Sequence, residues 1–111
     1  GDEQSSLITG VALVRSAFAD ENPAAVDAFL GHYAESVEFV NNNVADAAKL
    51  VGDYDIVPEA VAAKALPECN IVCVTGSDMK ERLSGYLAVL SDQNADAVGG
   101  ALPGDDFYYG A

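Results

Sequence analysis

A chain of 111 residues with eighteen acidic and five basic side chains, a formal net charge of −13, has the length of one domain and leaves no room for two. Half of its residues are hydrophobic, which supplies a core and excludes global disorder. The negative field opposes phosphate backbones and anionic lipid surfaces, which disfavours nucleic acid and membrane surfaces as partners, and no apolar run has the length to span a bilayer.

In chain order, residues 7–15 (LITGVALVR) read as a strand that is apolar on both faces from Val11 to Val14. Near-continuous apolar runs of this length belong inside a sheet covered on both sides. Asn22 then suits an N-cap, and Pro23 the first helical position, where no amide hydrogen is missed. Val26, Phe29, Leu30, Tyr33, Val37 and Val40 fall on one stripe at helical spacing. The helix is expected to stop within residues 41–43, with Asn43 capping the next. That next helix runs from Val44 to about Asp53 with Val44, Ala47, Ala48 and Val51 inward. Pro58 opens a third helix, rich in alanine, which Pro67 ends.

Residues 70–74 (NIVCV) make a second run that is apolar on both faces. A fourth helix follows, with Ser77 as its cap and Met79, Leu83, Tyr86, Leu87 and Leu90 as its inward stripe. From Gln93 the chain is acidic and Gly-rich, and Tyr108 and Tyr109 suit anchoring of that tail against a helix. Cys69 and Cys73 on a strand would have Cα atoms roughly 13 Å apart. A disulfide needs about 7 Å or less, so both are expected as buried free thiols.

Two such strands cannot satisfy their backbone groups or cover their side chains as an isolated pair. The sequence therefore predicts a piece of a larger α/β protein, or else an acidic interaction module that dimerises by completing its sheet between copies. The first is simpler.

Residues 11–30 (VALVRSAFADENPAAVDAFL) resemble a stretch of the solute-binding proteins of nitrate, sulfonate and pyrimidine-precursor ABC importers. There an apolar strand ending in a basic residue leads into Phe-Ala-x-x-Asn/His-Pro and a long helix. The similarity continues through residues 36–43 (SVEFVNNN), 65–72 (ALPECNIV) and 83–86 (LSGY). It closes at residues 99–103 (GGALP) and 105–109 (DDFYY). The resemblance implies the C-terminal part of an extracytoplasmic protein, with a membrane permease and a small-molecule solute as partners of the intact protein.

The fold it implies is α/β: a helix-rich, single partial domain over residues 1–111 of a two-lobe periplasmic-binding-protein-like fold, with about four helices and two buried strands. Most residues lining the cleft would lie outside this chain. Thr9 and Gly10 are the candidate ligand contacts, a hydroxyl and a close backbone approach ahead of a strand.

Other chemistry is weaker. Asp92, Asn94 and Asp96 alternate like calcium ligands, but Ala97 and Pro103 stand where an EF-hand loop needs glycine and a bidentate acid. His32 has no second histidine for a metal cluster, and pairing with Glu35 or Ser36 would be a surface contact. Gly99, Gly100 and Gly104 lack the Lys-Ser/Thr of a phosphate loop and adjoin Asp105 and Asp106. No cofactor and no enzymatic activity are expected.

Overall fold

The computed structural model describes residues 6–111. Its elements are α1 (Ser16–Glu21), α2 (Pro23–Asn42), α3 (Val44–Asp53), α4 (Glu59–Ala65) and α5 (Gly76–Gln93), with short 3₁₀ helices at Leu66–Glu68, Ala95–Val98 and Asp105–Phe107. They form two compact units. One is Val14–Cys73, and the other joins residues 6–13 with Val74–Ala111.

In the first unit, two asparagines turn one helix into the next. Asn22 and Asn43 each donate from the side-chain amide to a carbonyl of the preceding helix, Phe18 O and Phe39 O, both at 3.3 Å. Their own carbonyls accept from the first turn of the next helix, at Val26 N (3.2 Å) and Ala47 N (2.9 Å). The N-cap role expected of these side chains is thus replaced by C-capping, since neither makes a side-chain cap bond to the helix it precedes.

α3 ends in a Schellman arrangement, with Asp55 N bonded to Gly52 O (3.0 Å) and Ile56 N to Val51 O (3.1 Å). Asp55 is left-handed, at φ 56°. The turn carries α4 back against α3, and Gly52 admits the approach: a Cβ there would lie 3.1 Å from both the backbone nitrogen and the Cβ of Glu59. Pro58 precedes α4 with φ −57° and ψ 142°, and Pro67 sits in the 3₁₀ helix that follows it. Val26, Ala47, Ala48 and Ala62 are the buried apolar side chains of this unit.

In the second unit α5 carries the C-terminal tail. Lys80 Nζ lies 3.0 Å from Asp105 Oδ1 and 6.0 Å from the ring centre of Tyr108, which is buried and meets Phe107 edge to face. The stripe of Met79, Leu83, Tyr86, Leu87 and Leu90 is half-buried. Thr75, two residues before the expected cap Ser77, stands at the start of α5 and makes no side-chain cap bond.

The structure corrects the expected fold class. Among the described residues there is no strand, so the chain is all-α and not α/β with two buried strands. Residues 7–14 make no backbone hydrogen bond among the described residues, and Leu7 (82%) and Leu13 (83%) are almost fully exposed. In residues 70–74, Asn70 is left-handed at φ 51°, which breaks an extended run at its first residue. That segment is tied to α2 by one bond, from the Asn41 side-chain amide to Ile71 O (3.0 Å).

The reason is the one the composition foretells: a strand apolar on both faces needs a ladder at each edge and a layer on each face. The second run supplies neither for the first. No sheet is therefore present among the described residues for a second copy to complete. Residues 16–21, between the expected strand and the helix opened by Pro23, are helical, and the Asn22 side chain closes their last turn.

Candidate functional site

A concavity lies within the first unit, between α2 and α3. It is an open hollow of about 460 Å³, within the range of ligand sites. His32, Glu35, Ser36, Phe39 and Val40 line it from α2; Ala47, Leu50 and Val51 from α3; and Leu66 from the 3₁₀ helix. The α2 residues follow i, i+3, i+4 and i+7, so they form one helical face. Asn43 joins the two helices, its side-chain amide bonded to Phe39 O and its carbonyl to Ala47 N.

Most of the lining is apolar. Phe39 (39%) and Leu50 (46%) leave large apolar surface in water at its mouth. Glu35, Ser36 and His32 form the polar edge. His32 makes no hydrogen bond to Glu35 or Ser36 among the described residues. No Lys or Arg lines the hollow. The nearest in sequence is Lys49, bonded to Asp53 at 2.9 Å. That bond, with the charges of Asp53, Glu59 and Asp46, holds the ammonium above its ordinary range. A second hollow of about 210 Å³ lies under the α3–α4 turn, lined by Gly52, Asp55, Ile56, Val57 and Pro58.

The residues singled out in the sequence lie elsewhere. Thr9 and Gly10 are exposed in the irregular segment before α1 and line neither hollow. A Cβ on Gly10 would meet no atom within 4 Å, so space at that backbone is open. Asn94 Oδ1 accepts from Asp96 N (3.1 Å), so in the alternating acidic stretch Asn94 caps the 3₁₀ helix Ala95–Val98 that follows α5. Gly99 N and Gly100 N are bonded to Asp96 O and Ala95 O and are not aimed outward as a phosphate cradle.

Cys69 and Cys73 are free thiols, but Cys69 is exposed and Cys73 half-buried, against the expectation that both are buried. Among the described residues no group of three His, Cys, Asp or Glu side chains could hold a metal ion, and no helix is long and apolar enough to cross a membrane.

The hollow itself was not picked out from the sequence. Its signal was a second stripe on α2, residues 32, 35, 36 and 39, one face over from the stripe of Val26, Leu30 and Val37. Phe39 is the residue that betrays it, because it is large, apolar and outside the inward stripe.

Comparison with protein-family models, with curated proteins and with solved structures finds no match for this chain.

Proposed function

We propose that this chain is part of an extracytoplasmic solute-binding protein of an ABC importer, and that it holds solute only together with the remainder of that protein. The order of the motifs from residue 11 to residue 109 supports the reading. The observation that carries it is the apolar segment 7–14, which makes no backbone hydrogen bond among the described residues and leaves Leu7 and Leu13 in water.

Burying a Val or Leu side chain yields about 1.5–3 kcal/mol. An unpaired backbone group has a comparable demand for a partner. A segment with both demands unmet is one that further chain covers. Thr9 and Gly10 lie in it, with open space at the Gly10 backbone for an incoming group. Solute would be held there by hydrogen bonds and shape, without covalent chemistry, and released when the protein meets its permease.

The test is to read the coding DNA upstream of the codon for Asp2 and then to make the protein it encodes. An open frame of about 200 codons opening with a signal peptide supports the proposal. So does a rise in the melting temperature of that protein with a pyrimidine precursor or a sulfonate. A stop codon and start site immediately upstream would end it.

A further inference from the structure

The trough between α2 and α3 is open along one side, so a small solute in it would keep much of its surface in water. Small-molecule sites bury most of their ligand. An amphipathic helix needs no such enclosure, because it lays one apolar face into a groove and leaves the other face wet. The volume, the exposed Phe39 and Leu50 and the apolar floor of Val40, Ala47 and Val51 suit that mode.

Charge indicates the kind of helix. On α2, Glu35 is in the wall and Glu38 follows one turn on. On α3, Asp46 and Asp53 neighbour Leu50 at i−4 and i+3. Lys49 is the one nearby cation on α3, and Asp53 holds it at 2.9 Å. Glu35 is the one acid in the lining and no Lys or Arg joins it, while Glu38, Asp46 and Asp53 lie on the same two helices outside the lining, so acidic charge flanks an apolar floor.

We propose that this trough docks a cationic amphipathic helix of a partner protein, with its apolar side chains at i, i+3, i+4 and i+7 between Phe39 and Leu50 and its Lys or Arg side chains against Glu35, Glu38 and Asp46. None of residues 7–14 lines the trough, and the proposal stands whether or not the solute-binding reading does.

A fluorescein-labelled peptide of about 18 residues, leucine at those spacings and lysine elsewhere, is the probe. Its anisotropy is followed as the full chain is added, beside a twin peptide with glutamate for lysine. The lysine peptide is expected to bind in the micromolar range, more weakly as salt rises, and the glutamate peptide not to bind. Leu50→Asp and Glu35→Lys should each weaken binding about tenfold. Val72→Asp, at a more exposed apolar residue that does not line the trough, should not weaken binding.

Circular dichroism checks that Leu50→Asp still folds, and Glu35→Lys at an exposed helical position keeps the test alive if it does not. The proposal is overturned if the lysine peptide fails to bind or the two peptides bind equally. It is also overturned if Val72→Asp weakens binding as much as Glu35→Lys does.

Discussion

Asn22 and Asn43 adopt nearly the same backbone conformation, φ −133°, ψ 52° and φ −135°, ψ 56°. Each spends its side-chain amide on the helix it ends. Asparagine is short enough to reach a carbonyl four residues back, and its backbone carbonyl stays free for the next helix. The sequence marks both as punctuation, and it does so because polar side chains of this length compete with the helix ladder. It does not say which helix the side chain serves, since the one amide can accept through Oδ1 from the helix ahead or donate through Nδ2 to the helix behind.

Asp55 is the position where residue type and conformation disagree. At φ 56° it occupies the left-handed region, where a side chain with a Cβ meets the following carbonyl. The hydrogen bonds at Gly52 O and Val51 O hold it there. Asp55→Gly should therefore raise stability by about 0.5–1 kcal/mol, the strain relieved exceeding the entropy glycine adds to the unfolded chain. A denaturant midpoint that falls on this substitution would show that the aspartate side chain contributes more than its backbone strain removes.

At the scale of elements, the helices were legible and the segments between them were not. The inward positions Val26, Leu30, Val37 and Val40 of α2 and the Ala47, Ala48 face of α3 follow from 3.6-residue periodicity, which depends on near neighbours in the chain, whereas Phe29 and Tyr33, expected on the same stripe, are exposed. Residues 7–14 and 70–74 were read as strands from composition alone, and a strand is defined by partners that lie elsewhere. What no pattern revealed was how closely α3 and α4 approach.

Gly52 decides that distance. Glycine within a helix ordinarily costs about 1 kcal/mol relative to alanine, so Gly52→Ala would be expected to stabilise. Here the new Cβ meets the backbone nitrogen of Glu59 at 3.1 Å and its Cα at 3.3 Å. Backbone atoms cannot rotate away, and overpacking of this kind costs about 1–3 kcal/mol. The net expectation is a loss of about 1 kcal/mol, read as a lower melting temperature. A higher one would mean that the 54–58 turn yields freely and that α4 is not held by this contact.

For the whole molecule the decisive quantity is the surface left in water. The accessible area is 8127 Å² for a mass of 11.5 kDa. Two separate compact units of half that mass would expose about 7,000 Å², even with nothing buried between them. The unfolded chain would expose about 16,700 Å², so folding hides roughly half of it where a monomer of this length hides about two-thirds. The excess is apolar in good part, with Leu7, Val11, Leu13, Ile56, Val72, Leu102 and Phe107 all exposed. The sequence disclosed this imbalance early, as two apolar runs with too little chain to cover them, even though it misjudged their conformation.

Two consequences can be measured. Because the slope of stability against denaturant follows the area exposed on unfolding, the guanidinium m-value of this chain should fall about a fifth below that of monomers of its mass. The folded chain should also brighten Nile red, a neutral dye chosen because the charge of −13 would repel an anionic one. An m-value of ordinary size with no dye response would mean that the chain covers its own apolar surface in solution. The solute-binding reading would then lose the observation that carries it, while the helix-docking trough would stand or fall by its own titration.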